Sequence, residues 1–298
     1  MRRLLPSGSG RHQTRPSRAI LEGAKSFRRI STAILLGAML LLALPCDLGL
    51  AQVADPQQEI SWQSLSPGLD QTHFQLSGGS LLSPWVVAIR ADLKHFRVQV
   101  IRAADFGWKR ASVKAMCKAS NASVCINSNF FDEQGRPLGL VLSRGILHQK
   151  THNGGGTLTG ILYVSNDRVG IAHRSSFSPE GVVEAAQAGP RLISEGAPVV
   201  GLKSPGSGTN LSIACVDREQ RVVLIRVAFT MFGGSPTDIQ RTLLRPEIAC
   251  VEALNFDGGG SSQMYISGTI QGHVDAVREE DFPGRDEVPV ALALLPIK

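Results

Sequence analysis

The chain has 298 residues, 43% of them hydrophobic and 5% aromatic. That is enough apolar material for one large core or two modest domains, and it excludes a wholly disordered chain. The formal charge of +6 belongs to the N-terminal end, where the first 29 positions hold eight basic residues and one acid, Glu22. Without residues 1–51, Lys+Arg falls from 31 by 8 to 23 and Asp+Glu from 25 by 2 to 23. The remainder is neutral, so the high pI carries no nucleic-acid signal and that partner class is dropped.

Behind the basic segment comes an apolar run, "AILLGAMLLLAL" (Ala33–Leu44), and then the small residues Gly49-Leu50-Ala51. This order reads as a signal peptide or N-terminal anchor over residues 1–51. A run of about a dozen residues is short for a membrane span, which needs ~20. The expectation is an exported protein, periplasmic or secreted, that meets a membrane only through its N-terminal segment.

Residues 52–95 read as a polar lead-in followed by first strands, "HFQL" and "WVVAIRADL", and residues 96–298 as the main domain. "SVKAMCKAS" (Ser112–Ser120) reads as a helix with Val113, Met116 and Cys117 on one face. "SVCINSNFF" returns to a strand that ends at Asn127. Three hairpins are expected next, turning near Arg144-Gly145, at Asn166-Asp167 and near Arg218–Gln220. Ser235 is a helix N-cap, Pro236 occupies the first helical position and Asp238 can reach back to the cap. That helix leads into "IACVEALNFD", a strand that stops at Asp257. The expected class is α+β: a single sheet-rich domain with mixed strands and a few packed helices, preceded by a signal segment.

Cys117, Cys125, Cys215 and Cys250 form no C-x-x-C pair, which argues against zinc. They read as small buried hydrophobes. Export would also permit Cys117–Cys125 and Cys215–Cys250 bonds.

Three loops hold the candidate chemistry. In "NFDGGGSSQMY" (Asn255–Tyr265) an apolar strand ends at Asp257. Gly258, Gly259 and Gly260 let the backbone approach a ligand, and their N–H groups can form an anion nest. Ser261 and Ser262 add hydroxyl donors. A carboxylate beside such a loop suits a sugar or phosphate ester. In "AGPRLISEG" (Ala188–Gly196), Arg191 is suited to bidentate phosphate recognition, and Glu195 is a candidate second carboxylate. In "INSNFFD" (Ile126–Asp132), Asn127 and Asn129 bracket a serine at a strand end. The glycine-rich "THNGGGT" (Thr151–Thr157), with His152 in it and His148 before it, reads as a lip over the site.

Taken in order, these segments resemble the phosphodiester glycosidase family over roughly Val98 to Ser267. The family's "INGGFFD", "GPRL", "SPG-x-T" and "NLDGGGSS-x-M" stand here as "INSNFFD", "GPRLISEG", "GGSPTDIQ" and "NFDGGGSSQM". The last is the most specific. The resemblance implies that Asn127, Arg191, Asp257 and the Gly258–Ser262 loop line one cleft. It implies a hydrolase for a glycan or sugar-phosphate substrate, with Asp257 as general base or oxocarbenium stabiliser. Arg191 and the glycine amides would hold phosphate, Asn127 would bond a sugar hydroxyl or fix Asp257, and Asn129, Glu195, Ser261 and Ser262 would complete substrate binding. No cofactor is required by the sequence. A divalent cation, Ca²⁺ or Mg²⁺, at Asp257 is compatible with the oxygen ligands there. Two departures matter. Ser128 and Asn129 replace two glycines, and Asn210 stands where relatives commonly carry the arginine of "RTAIG". The alternative function is a non-catalytic carbohydrate-binding or exopolysaccharide and envelope assembly protein that keeps the cleft.

Overall fold

The computed structural model describes residues 59–76, 83–166, 168–203, 209–228, 235–270 and 277–297. The signal or anchor expected at 1–51 and Asp167 of the second hairpin turn lie outside the described residues. In chain order the first strands are β1 (Gln63–Ser66), β2 (Leu69–Gln75), β3 (Trp85–Ala91) and β4 (Phe96–Arg102). Helix α1 (Val113–Ser120) precedes β5 (Val124–Asn127), β6 (Val141–Ser143), β7 (Ile146–Gln149), β8 (Gly160–Ser165) and β9 (Arg168–His173). Next come β10 (Val182–Ala188), β11 (Arg191–Ser194), β12 (Ala197–Pro198), β13 (Leu211–Asp217) and β14 (Val222–Ala228). Helix α2 (Pro236–Leu243) leads to β15 (Cys250–Asn255), β16 (Met264–Ile266), β17 (Glu280–Phe282) and β18 (Val290–Pro296).

The local signals explain these elements. Ser112 caps α1 by accepting from the Ala115 amide, and Asn121 ends the helix in the left-handed conformation. Ser235 and Asp238 form a reciprocal capping box on α2, with Pro236 at the first helical position. Arg144 and Gly145 both have positive φ in the β6–β7 turn, as a tight hairpin requires. The Asp217 carboxylate accepts from the Glu219 and Arg221 amides and so closes the β13–β14 turn.

The strands form three sheets. An eight-stranded sheet has the order β1-β2-β3-β14-β13-β15-β11-β12, and two five-stranded sheets have the orders β7-β6-β10-β8-β9 and β17-β16-β5-β18-β4. Neighbouring strands run antiparallel. All three sheets contribute to one central core, with Ile89, Leu224 and Leu254 from the first, Val141 and Leu162 from the second, and Ile126 and Leu292 from the third. Period-two alternation sends the other face of each strand outward. On that outer face α2 covers the eight-stranded sheet through Ile239 and Leu243, and α1 covers the third sheet through Val113, Met116 and Cys117.

Both cysteine pairs are disulfides, Cys117–Cys125 and Cys215–Cys250, with Cα–Cα separations of 5.7 and 5.8 Å. This corrects the expectation that these residues act only as buried hydrophobes. Cys215 and Cys250 lie on the adjacent strands β13 and β15, a juxtaposition that sequence spacing does not reveal. Closing such loops contributes roughly 2–4 kcal/mol each through the unfolded chain.

Candidate active site

The eight-stranded sheet and the third sheet meet at the ends of β15 and β5. β15 runs out through Phe256, whose side chain is fully buried, and delivers Asp257 to the surface of the core. The Asp257 amide donates to the Ser128 carbonyl at 2.9 Å, just past the end of β5. Asn127, 1% exposed, completes the joint. Its Nδ2 donates to the Asp257 carbonyl at 2.7 Å. Its Oδ1 accepts from Ser212 Oγ at 2.7 Å and from the Gln263 amide at 2.9 Å. Ser212 Oγ is also 3.0 Å from Ser262 Oγ. These bonds fix the backbone that carries the Asp257 carboxylate.

The carboxylate itself is half-buried. Burial pushes its pKa up to about 6, opposed by hydrogen bonds from the Ser261 side chain and the Gly258 amide and reinforced by repulsion from Asp286. Asp286 comes from the segment between β17 and β18. That segment is laid on the glycine loop, since the Gly260 carbonyl accepts from the Arg285 and Asp286 amides at 2.8 and 3.0 Å. The glycines are needed for this contact. A Cβ on Gly260 would overlap Asp286 Oδ2, and one on Gly258 would sit 2.6 Å from the Asn210 carbonyl. That same carbonyl accepts from the Gly259 amide at 2.8 Å. The result is two carboxylates, serine hydroxyls and a close-approach backbone in one place.

The other expected residues sit elsewhere or serve the frame. Asn129 is 1% exposed. Its Nδ2 donates to the Leu140 and Gln187 carbonyls, each at 3.0 Å, tying the β5 end to β10. Arg191 opens β11 opposite Leu254. Its Nη1 donates to Ser194 Oγ at 2.9 Å and lies 3.9 Å from Glu252 Oε2. The guanidinium is thus held toward Glu252, five residues back along β15 from Asp257. Glu195 is exposed on the β11–β12 turn with positive φ, and its amide donates to Glu252 at 2.8 Å. In the glycine-rich lip, Arg174 donates to the Gly154 and Gly155 carbonyls. His152 is exposed, and His148 is half-buried with its pKa lowered by burial and by Arg102 and Arg144.

Three site residues escape a reading of the sequence. Ser212 falls within "NLSIAC", where only its inward position in the strand alternation marks it. Gln263 follows the serines, and its Nε2 donates to the Asp286 carbonyl at 2.6 Å while its Oε1 accepts from the Val113 amide at 3.0 Å. Asp286 stands in "PGRDEVP", with no local signal beyond an acidic turn. Among the described residues, no group of three or more His, Cys, Asp or Glu gathers at metal-binding distance.

Comparison with known proteins identifies the family and the fold. The phosphodiester glycosidase family model (NAGPA) matches residues 120–295, a span that contains Asn127, Asp257 and Asp286. The chain belongs to the phosphodiester glycosidase family. A zebrafish structure has this fold, the catalytic domain of N-acetylglucosamine-1-phosphodiester alpha-N-acetylglucosaminidase auto-inhibited by its pro-peptide. Its TM-score is 0.58 at 16% identity, covering 80% of this chain and 87% of that one. A hypothetical protein from Synechocystis matches with TM-score 0.54 at 14% identity over 80% of this chain and 64% of its own. An exported-protein candidate from Burkholderia pseudomallei K96243 matches with TM-score 0.51 at 14% identity, covering 74% of this chain and 75% of that one. At these identities the likeness is one of fold. No curated protein matches the chain. Among the described residues, no helix is long and apolar enough to cross a membrane.

Proposed function

We propose that this phosphodiester glycosidase family member is an exported hydrolase that cleaves the glycosidic bond of a sugar-1-phosphodiester or a related glycoconjugate. The observation that carries the proposal is the Asp257–Asp286 pair across the glycine loop, one carboxylate half-buried with a raised pKa and the other exposed beside it. Paired carboxylates of unequal environment are the working parts of glycoside hydrolysis. The zebrafish relative, whose name states cleavage of an N-acetylglucosamine-1-phosphodiester, supports the substrate class.

In this proposal water adds to the anomeric carbon while the carbon–oxygen bond breaks. The bonding pair leaves on the phosphodiester oxygen. Above pH about 6 Asp257 is ionised and takes the proton from the attacking water. The departing group is a phosphate monoester, a good leaving group that needs little help from an acid. Asp286 bounds the other side of the loop and stabilises positive charge developing on the sugar. Asn127 acts through the Asp257 backbone, as a positioning residue. Within the loop, open space lies beside Gly259, where a substrate can approach the main chain, while Gly258 and Gly260 are closed by Asn210 and Asp286. Asp257 and Asp286 would also supply the two carboxylates of a Ca²⁺ or Mg²⁺ site completed by water.

The test is sugar release from a panel of sugar-1-phosphodiesters by the purified protein, with and without EDTA, beside Asp257→Asn. Release that disappears in Asp257→Asn is the expected result. A folded protein that releases no sugar from any member of the panel would favour the carbohydrate-binding alternative. Loss of release in EDTA, restored by Ca²⁺ or Mg²⁺, would place a cation at the pair.

A further inference from the structure

Arg226 lies on β14 on the same face as Val222 and Leu224, which belong to the central core. It is 9% exposed. Its Nε is buried with no hydrogen-bond partner, and none of the ion pairs among the described residues includes it. Its guanidinium carbon stands 5.8 Å from the centre of the Phe282 ring. That cation–π contact is the compensation visible around it. Burial alone acts on its pKa, with no carboxylate countering it. An arginine cannot escape such a place by losing its proton, and a buried unpaired charge is costly. The site is therefore built for a counter-charge supplied from outside.

Its position shows where that charge would sit. Arg226 pairs directly across the sheet with Ser212, so their side chains share a face about 5 Å apart at Cβ. Ser212 is hydrogen-bonded into the Asn127 and Ser262 network. β15, which ends toward Asp257, is the strand beyond β13, so it lies about 10 Å from β14. Phe282, over the guanidinium, begins the segment that carries Asp286 onto Gly260. The resemblance to the family expects an arginine at Asn210, and this chain has its buried cation on the neighbouring strand instead.

We propose that Arg226 binds the phosphate oxyanion of the substrate in the Asp257 cleft and replaces the cation absent at Asn210. The ligand's identity rests on the hydrolase reading above, whereas the need for an anion rests on Arg226 itself. A guanidinium two strands from Asp257 spans the scale of a sugar joined to its phosphate, with the anomeric carbon at the acid and the charge at the arginine.

The experiment titrates inorganic phosphate into the purified protein and follows thermal unfolding and calorimetric binding. Arg226→Met, Arg226→Lys and, as a control on a different sheet, Arg97→Gln are compared with the wild type. Phosphate is expected to raise the wild-type Tm, and Arg97→Gln should respond equally. Arg226→Met should match or exceed the wild-type Tm without phosphate and lose the phosphate shift. Arg226→Lys should keep the charge but bind about tenfold more weakly, because the planar fork is gone. An unchanged phosphate shift in Arg226→Met, or no shift in the wild type, would overturn the proposal. If Arg226→Met does not fold, a wild-type Kd in Arg226→Lys overturns it in the same way. An equal response to acetate would overturn phosphate as the ligand. Sugar release without Arg226-dependent phosphate binding would sink this inference and leave the hydrolase standing. Arg226-dependent binding without sugar release would do the reverse.

Discussion

Two desolvated acids in this protein, one buried and one half-buried, have raised pKa values for the same reason and opposite surroundings. Asp257 is pushed up to about 6 and Glu184 to about 7, in each case chiefly by burial. Glu184, on β10, is 6% exposed. Both its oxygens are occupied, one by the Val100 amide of β4 at 2.8 Å and one by the Arg144 amide of the β6–β7 turn at 3.0 Å. It is a strut between the second and third sheets. Asp257 sits beside a second carboxylate, hydroxyl groups and a half-buried glycine loop, and its own main chain is held by Asn127. A raised pKa marks a desolvated acid, and the partners decide whether that acid does chemistry or holds strands together.

The largest expected effect separates the two. Asp257→Asn should lower kcat by about 10²–10⁴-fold, the range for losing an acid–base group, and leave the far-ultraviolet spectrum intact. Glu184→Gln should keep kcat within a few-fold of wild type in the same sugar-release assay, because the Glu184 carboxylate bonds the Val100 and Arg144 amides and no residue of the Asp257 loop. Equal losses in the two folded variants would erase the distinction. The next effect reverses the order. Glu184→Gln turns one acceptor into a donor facing a backbone N–H, and should lower the urea-unfolding free energy by about 1–3 kcal/mol. Asp257→Asn removes a half-buried charge and should change that free energy less. Asn127→Ala should affect both readouts. It strips partners from Ser212 Oγ, the Gln263 amide and the Asp257 carbonyl, a loss of about 1–3 kcal/mol, and it frees the backbone that aims Asp257.

Much of this was legible locally. The caps at Ser112 and Ser235 and the hairpin at Arg144-Gly145 depend on residues within a few positions of one another, and the structure has each of them, while the strand expected to stop at Asp257 ends two residues earlier, at Asn255. The two asparagines of "INSNFFD" were equally visible, but their roles were not separable. Asn127 reaches across to Asp257 and Ser212, while Asn129 turns toward Leu140 and Gln187, and only the tertiary fold decides which way each points. Arg191 illustrates the same limit. Its residue type is right for phosphate, yet Ser194 and Glu252 hold its side chain along β11. Asp286 and Arg226 gave no local signal. Asp286 matters because Gly260 lets its segment lie flat on the loop. Arg226 looks like one polar residue in the apolar strand "VVLIRVA", and its orphaned charge is evident only once the opposing sheet has closed over it.

The comparison is sharpest in pH. Each acid binds its proton more tightly folded than unfolded, with ordinary values of 3.8 for Asp257 and 4.5 for Glu184. The folded state therefore carries more protons than the unfolded state between pH 3.8 and about 6 for Asp257, and between 4.5 and about 7 for Glu184. Their contribution to stability is greatest below the unfolded values and is lost as pH rises through those windows. In the proposed hydrolysis the dependence runs the other way, because as the base Asp257 would have to be ionised to accept a proton. kcat/KM should climb about tenfold per pH unit and level off above the Asp257 pKa. Glu184→Gln should make the fall of Tm between pH 4.5 and 7 shallower and leave the activity profile alone. Asp286→Asn should do the opposite. With the repulsion from Asp286 gone, Asp257 ionises more easily, and the acid limb of the activity profile moves to lower pH. Because burial, not Asp286, is the main cause of the raised Asp257 pKa, the move should be small, and an acid limb that stays in place in Asp286→Asn, measured where the variant is folded, would mean that Asp286 does not act on the group titrating in catalysis.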